Sequence, residues 1–317
     1  MENQTLTSLL AEKICGNIEK VIYGKRLVAR HILCAMFCGG HVLLEDVPGT
    51  GKTRLVKAIS ASVGATCRRI QFTPDLLPSD ITGINYFDQS AGAFKLREGP
   101  VFSNFLLADE INRATPRTQS ALLECMEESS VTIDGETLSL SPLFMVMATM
   151  NPLEFQGTFP LPEAQIDRFM MKLHIGYPDE DSEKKIVERE SAEEPTEIPG
   201  SVAEIGDIAE ARREISRVKV SSAVRDYIVK LVRVTREDRN QVKIGVSPRG
   251  VVAMTRASKA WAAMSGRDYV IPDDVKELAI PVLAHRLITQ AQTNVHMSKS
   301  GEDYVEHLLT KVQVPLE

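Results

Sequence analysis

The chain has 317 residues, enough for one large domain or for a major and a minor domain. Its hydrophobic content of 43% and charged content of 25% are ordinary for a soluble globular protein. The net charge of −6 argues against tight, unspecific nucleic-acid binding, and no apolar run is long enough to span a bilayer. The amino-terminal sequence MENQTLTSLL lacks the basic start and the cleavage site of a signal peptide.

The cysteines indicate a reducing compartment. No CxxC pair occurs, and their number is odd. Two of them are spaced four apart on a predicted helix, which could suggest half a metal site, but two buried thiols on an apolar face are the simpler interpretation. We therefore expect reduced cysteines and a cytoplasmic protein. The five are Cys15, Cys34, Cys38, Cys67 and Cys125.

The first half of the chain predicts strands that alternate with helices. Helical spacing over 27–38 stops at Gly39-Gly40, and further helices are expected over 53–63 and from Pro116 to Glu128. Because most of the strands are nearly continuous apolar runs, we expect a parallel sheet covered on both faces. The five strands are HVLLE (41–45), TCRRIQF (66–72), FLLAD (105–109), LFMVMATM (143–150) and FMMKLHI (169–175).

Two β-hairpins interrupt this alternation. The sequence GINYFDQSAGAFKLREG, near 82–98, alternates around a Ser-Ala-Gly turn. The second hairpin, SVTIDGETLSL near 129–141, is indicated by Asp134-Gly135 between two alternating runs.

The character of the chain changes after Tyr177-Pro178. Residues 179–201 are charged and end in prolines, which predicts a solvated helix and linker. Residues 202–317 predict a helical second domain, with no convincing strand and with Asp273 or Asp274 as a helix cap. We thus expect a core at 1–178, a linker at 179–201 and a helical domain at 202–317. The clearest helices of that domain lie in SSAVRDYIVKLVRVTRE, PRGVVAMTRASKAWAAMSG and PDDVKELAIPVLAHRL.

The sequence EDVPGTGKT follows the first predicted strand and opens a helix. Binding a phosphate needs successive backbone N–H groups that point inward, and Gly49 and Gly51 allow this because they have no Cβ. Lys52 is placed to reach the β- and γ-phosphates, and the Thr53 hydroxyl to bind Mg²⁺. Asp46 stands where such a loop usually has glycine, but at the strand end its side chain can point away from the phosphates. The alternative is a chance glycine-rich turn with a surface lysine.

Polar residues also end two other predicted strands. Asp109 closes an apolar strand, where its carboxylate can hold the Mg²⁺ shell, and Glu110 can deprotonate the attacking water. Asn151 follows the fourth strand and can orient that water or bond the γ-phosphate. The alternatives are a pair of helix-capping acids and an Asn-Pro turn. About 60 residues after a phosphate loop, however, the acidic pair indicates nucleotide hydrolysis.

Together these motifs resemble the AAA+ ATPases and, more narrowly, the MoxR family. The resemblance runs from about Val21 through the last helices. It implies an αβα P-loop core with a five-stranded parallel sheet and two inserted hairpins, followed by a small all-helical lid. It rests on VIYGK, HVLLEDVPGTGKT, DLLPSDITG, GPVFSNFLLADEINRATPRTQSALLECMEE, ATMNP, LPEAQIDRF and GVSPRG.

The resemblance also implies site residues. Arg168 matches the arginine finger that acts on a neighbouring subunit's ATP, and Arg249 matches the sensor-2 arginine of the lid; their alternatives are a surface ion pair and a helix-start arginine. Arg113 and Arg117 are not assigned. The nucleotide-binding residues are Val21, Ile22, Tyr23 and Gly24 beside adenine and Val47, Pro48, Gly49, Thr50, Gly51, Lys52, Thr53 and Asp109 around the phosphates and Mg²⁺.

The implied activity is Mg²⁺-dependent ATP hydrolysis in a homo-oligomeric, hexameric ring. It would drive remodelling or metal insertion in a protein client such as a von Willebrand factor A-type protein. The hairpins are expected to project toward the pore or a partner, although their tips, DQSAG and DG, carry no aromatic residue for threading a substrate. Two alternatives are a nucleotide switch with little hydrolysis and a DNA-remodelling motor. The acidic net charge and the lack of an appended DNA-binding motif disfavour the motor.

Overall fold

The computed structural model describes residues 5–45, 49–151, 157–191, 198–290 and 298–315. The chain alternates strands and helices up to β9 and is mainly helical afterwards. Its first part consists of α1 (Leu6–Glu19), α2 (Arg26–Phe37), β1 (Val42–Glu45), α3 (Lys52–Ser62), β2 (Cys67–Gln71), α4 (Pro78–Thr82), β3 (Gly83–Asp88), β4 (Ala93–Glu98), β5 (Phe105–Asp109), α5 (Pro116–Glu128), β6 (Ser130–Ile133), β7 (Glu136–Ser139), β8 (Met145–Met150), α6 (Glu163–Ile166) and β9 (Met171–Leu173).

The second part begins with the charged segment and continues into the lid. The acidic stretch forms a helix, as predicted, although residues 192–197 lie outside the described residues. The elements of this second part are α7 (Glu180–Ser191), α8 (Ile205–Ser216), α9 (Ser222–Glu237), β10 (Val242–Ile244), α10 (Pro248–Met264), α11 (Pro272–Leu283), β11 (Ile288–Thr289) and α12 (Ser298–Lys311).

The centre of the core is a five-stranded sheet in the order β2-β5-β8-β1-β9. Every neighbouring pair is parallel. All residues of β1, β5 and β8 are buried, which explains why their sequences are apolar on both alternating faces. The predicted α/β fold with a parallel sheet is therefore confirmed.

Both faces of the sheet are covered by apolar side chains. Along β1, Val42 and Leu44 join one hydrophobic cluster and Leu43 joins the other, because successive side chains of a strand point to opposite faces. The first cluster continues without a break from the core into the lid, where it includes Leu231 and Met254. Core and lid thus share one apolar interior.

The two predicted hairpins are confirmed as β3–β4 and β6–β7. The two hairpins are in contact, because Asn85 Nδ2 on β3 donates to Asp134 Oδ2 in the turn between β6 and β7 at 3.0 Å. The turn residues of the first hairpin carry no aromatic ring, but Phe87 and Phe94 face each other at the strand ends beside it. Their ring centroids are 5.4 Å apart, and both rings are exposed.

One prediction about the lid is wrong. The lid is helical but also contains an antiparallel ribbon of β10 and β11, in which Val242 pairs with Thr289. These strands are only three and two residues long, too short for a period-two pattern to show in the sequence. Of the two capping candidates, Asp274 accepts the Ile271 amide at 2.9 Å, whereas Asp273 pairs with Lys276.

The cysteines lie in the apolar interior or beside it. All five are free, and all except Cys67 are buried. Cys34 and Cys38 donate to backbone carbonyls of α10 at 3.4 Å, and burial raises the pKa of the Cys34 thiol. Across the described ranges no three His, Cys, Asp or Glu side chains form a metal-binding group, and no helix is long and apolar enough to cross a membrane.

Candidate nucleotide-binding site

The glycine loop leads from β1 into α3 at the carboxyl edge of the sheet. Gly49 and Gly51 have φ angles of +86° and +83°, a left-handed conformation that glycine adopts without strain. Of the described residues other than the chain neighbours, none has an atom within 4 Å of the position where a Cβ would stand at either glycine. The helix starts at Lys52, so its amino-terminal end, where the backbone amide groups point outward, faces this loop. Asp46, Val47 and Pro48 lie outside the described residues, and their assignments stay predictions.

A cavity of about 440 Å³ lies against this loop. It brings together the described part of the loop, the two acids and Asn151, as the sequence predicts. Its lining also includes side chains that the motifs did not indicate, from β2 and from the end of β8. The lining residues are Gly49, Thr50, Gly51, Lys52, Thr53, Arg54, Arg69, Gln71, Asp109, Glu110, Thr149, Met150 and Asn151.

The Asp109 carboxylate is buried and held from both sides. The Thr149 hydroxyl donates to Oδ1 at 2.9 Å, and Arg69 Nε donates to Oδ2 at 2.7 Å. The same hydroxyl accepts the Glu110 amide at 2.8 Å. Thr149 therefore fixes the position of both acids relative to β8. Its place two residues before Asn151, on the same face of the strand, is the sequence signal for this role.

Glu110 has φ 55° and ψ 52°, a left-handed conformation that is strained for a side chain with a Cβ. Such strain concentrates at functional sites. Its Oε2 accepts from Gln71 Nε2 at 2.7 Å and from Arg113 Nη1 at 2.9 Å. Arg113 is thus a partner of the predicted base. Arg69 and Gln71 both reach the acids because residues two apart on β2 lie on the same face of the strand. This spacing is visible in the sequence TCRRIQF.

The two predicted arginines lie together, but they are not among the described residues that line the cavity. Arg168 Nη2 is 2.9 Å from Glu127 Oε2, and Arg249 Nη2 is 2.6 Å from Glu127 Oε1. Their contacts with phosphate stay predictions. Arg117, also unassigned by sequence, is exposed on the first turn of α5.

The segment 21–24 connects α1 to α2. The amides of Val21 and Ile22 bond the Ile18 carbonyl at the end of α1. The Tyr23 ring lies 5.9 Å from the Arg189 guanidinium carbon. Of the described residues that line the cavity, none comes from this segment, so its contact with adenine stays a prediction.

A polar contact between core and lid lies directly beside the loop. Glu45, the last residue of β1, has a side chain only 2% exposed and pairs with Lys172 Nζ at 2.8 Å. His174 Nδ1 contacts the Glu45 carbonyl at 2.9 Å, while Nε2 contacts Glu302 Oε1 of α12 at 2.8 Å. The hydrogen bond to Glu302 raises the pKa of His174.

Comparison with known families supports the reading of this site. Residues 41–171 match the family described as "ATPase family associated with various cellular activities (AAA)". Residues 235–308 match the AAA lid domain. These two ranges contain the phosphate loop, both acids, Asn151 and both arginines.

Similar proteins extend the match to nearly the whole chain. Chaperone MoxR1 of Mycobacterium tuberculosis is 42% identical over 87% of this chain and 75% of its own length. Protein MoxR of Paracoccus denitrificans is 30% identical over 84% of this chain and 85% of its own. A solved Cytophaga hutchinsonii protein, described as a candidate ATPase, superposes with a TM-score of 0.89 at 39% identity, covering 98% of this chain and 97% of its own. The chain therefore belongs to the MoxR family of AAA+ ATPases.

Proposed function

We propose that this protein is a Mg²⁺-dependent ATPase that couples ATP hydrolysis to the remodelling of a protein partner. The observation that carries the proposal is the convergence of the glycine loop, Lys52, Asp109 and Glu110 on one cavity of about 440 Å³. Cavities of a few hundred Å³ are typical of small-molecule sites. Membership of an ATPase family supports the same conclusion.

The side chains present fit a nucleotide and its metal ion. Gly49 and Gly51 line the cavity without a side chain, so a phosphate can approach their backbone, and Lys52 would bind the β- and γ-phosphates. Thr53 and Asp109 would hold Mg²⁺, which when bound neutralises charge on the phosphates. Asp109 is suited to this role because Thr149 already orients its carboxylate.

Glu110 is the proposed general base. Its carboxylate would accept a proton from the water that attacks the γ-phosphate, and the neutral amide of Asn151 would orient that water without repelling the phosphate. The strained backbone of Glu110 supports this role, because the Thr149 hydroxyl holds the amide in place against the strain.

The proposed assembly is a hexameric ring in the cytoplasm. Arg168 would reach the ATP of the neighbouring subunit, where a guanidinium stabilises charge on the transferred phosphoryl group. The resemblance assigns Arg249 to the ATP of its own subunit, but Arg249 lies beside Arg168 and does not line its own cavity, so we propose that it reaches the neighbouring ATP together with Arg168. A protein client is supported by the relative named as a chaperone. The client that we propose is a von Willebrand factor A-type protein or one that takes up a metal. The free cysteines fit a reducing compartment.

The Glu110→Gln variant tests the proposal. We expect hydrolysis to fall by at least about 100-fold, the scale of general-base catalysis, while ATP binding stays within a few fold. Glu124→Gln, an exposed acid on α5, is the matched control and should keep the wild-type rate. Equal rates for Glu110→Gln and wild type would reject Glu110 as the base. Binding without turnover in the wild type would favour the nucleotide switch instead.

Mixing variants tests action between subunits. Arg168→Ala should abolish hydrolysis and leave nucleotide binding near normal. When subunits exchange, mixing it with Glu110→Gln should restore part of the activity, because some sites then combine an intact base with an intact arginine. No recovery in a mixture shown to exchange would count against Arg168 acting in the neighbouring site.

A further inference from the structure

Two arginines with predicted roles at the phosphates meet at a single carboxylate. Glu127, near the end of α5, receives Arg168 on Oε2 at 2.9 Å and Arg249 on Oε1 at 2.6 Å. One guanidinium comes from the core and the other from the first turn of α10 in the lid. Each carboxylate oxygen thus serves one arginine.

The backbones that carry these arginines are also joined. Asp167, beside Arg168, accepts the Ser247 hydroxyl on Oδ2 at 2.9 Å, and Ser247 is the residue directly before α10. The other carboxylate oxygen of Asp167, Oδ1, accepts from Arg286 Nε at 2.8 Å, and Arg286 also donates to the Phe169 carbonyl. With both backbones fixed in this way, Glu127 determines where the two side chains lie.

The contacts at Glu127 leave binding capacity on both arginines. A guanidinium has five N–H donors on three nitrogens, and the contacts with Glu127 use one nitrogen of Arg168 and one of Arg249. The remaining nitrogens can bind phosphate oxygens. One carboxylate between two guanidiniums also leaves a net positive charge, which favours an anion there.

Solvent exposure argues against a purely structural role. The side chains of Glu127, Arg168 and Arg249 are 35%, 31% and 47% exposed, and ion pairs at such exposure contribute little to folding stability. The exposed guanidinium nitrogens stay accessible, so Glu127 can hold the arginines in place without preventing them from reaching a phosphate.

We propose that Glu127 is a positioning residue for ATP hydrolysis, which holds Arg168 and Arg249 on its two carboxylate oxygens so that both are preorganised for the transition state. This inference rests on the proposed function. It explains why the carboxyl end of α5, which does not line the cavity, carries a carboxylate between core and lid. Removing the charge leaves two guanidiniums that repel each other and are no longer aligned.

Glu127→Gln is the test, because the amide keeps the shape but loses the charge. We expect kcat to fall about three- to tenfold, equivalent to about 0.7–1.4 kcal/mol in the activation barrier. KM for ATP should stay within about twofold, because the loop and Lys52 dominate ground-state binding. Glu128→Gln removes a charge from the next, exposed residue of α5 and should leave kcat, KM and Tm unchanged.

The arginines must also mediate the effect. Because Glu127 acts through them, Glu127→Gln should reduce kcat by a smaller factor in an Arg249→Ala background than in wild type. A kcat within twofold of wild type, an increased kcat, equal factors in the two backgrounds, or a lowered Tm with a raised KM would each overturn the positioning role. A wild type without ATPase activity would instead overturn the proposed function, and this inference with it.

Discussion

Replacing Lys172 by Met should destabilise the protein strongly, because it leaves the Glu45 carboxylate buried without its partner. Glu45 is 2% exposed and Lys172 is 13% exposed, with 2.8 Å between Nζ and Oε1. The other oxygen, Oε2, has no hydrogen-bond partner among the described residues, and His174 Nε2, 3.8 Å away, already bonds Glu302. Little is therefore left to stabilise the charge once Lys172 is gone.

The expected loss follows from this geometry. Breaking a buried ion pair on one side costs about 3–5 kcal/mol, whereas replacing both partners costs much less. In a chain of this length about 2 °C of Tm corresponds to each kcal/mol, so Tm should fall by roughly 6–10 °C. The double variant Lys172→Met with Glu45→Gln should recover most of that loss, which gives a coupling energy of about 2–3 kcal/mol.

Urea unfolding gives the free energy of unfolding of the wild type, the two single variants and the double variant, and calorimetry gives their Tm values. Lys184→Met is the matched control, because Lys184 pairs with Glu180 but is 60% exposed, and its loss should stay below about 0.5 kcal/mol. The reasoning is refuted if Lys172→Met loses less than about 1 kcal/mol, or if the double variant is no more stable than the single one.

Three further predictions concern the site and its border. The hydrogen bond to Glu302 raises the pKa of His174. The stability from this contact is therefore fully present below pH 6.5, the ordinary histidine pKa, and is lost as the pH rises through the raised pKa. When Tm is measured against pH, the wild type should show this decline and His174→Gln should not. Arg69 holds one oxygen of Asp109, so Arg69→Gln should lower the Mg²⁺ concentration for half-maximal activity about two- to fivefold, and an unchanged Mg²⁺ titration would contradict this. In Gly51→Ala the new methyl group meets no atom of the described residues beyond its chain neighbours, but the residue must adopt φ +83°. Strain of about 1–2 kcal/mol should therefore weaken ATP binding roughly tenfold, and calorimetric binding at the wild-type affinity would contradict this.

The phosphate loop and its acids could be predicted from the sequence because local chemistry determines them. A strand, two glycines and a helix start are consecutive, so the positive φ angles of Gly49 and Gly51 follow from residue type. Asp109 and Glu110 end a fully apolar strand, and a parallel sheet brings strand ends to one edge. The turn at Asp134-Gly135 could be predicted for the same reason, because it depends only on adjacent residues.

What the sequence could not predict depends on contacts between distant segments. Gln71 reaches Glu110 only because β2 lies next to β5, and strand order is not visible in local patterns. Glu127 meets Arg249 across 122 residues of chain. The motif matches identified the two arginines but not the carboxylate that they share. The β10–β11 ribbon was missed because its strands are too short to show a period.

The contacts between core and lid constrain how the lid can move relative to the site. Their apolar packing forms one continuous cluster, and opening it would expose buried surface at about 25 cal/mol per Å². The polar contact of His174 with Glu302 at the border is partly exposed and therefore much cheaper to exchange. A response of the lid to ATP should thus be a small shear in which His174 and Glu302 separate, while Arg249 stays on Glu127 and the apolar cluster stays packed, because interdigitated helices slide more easily than they separate.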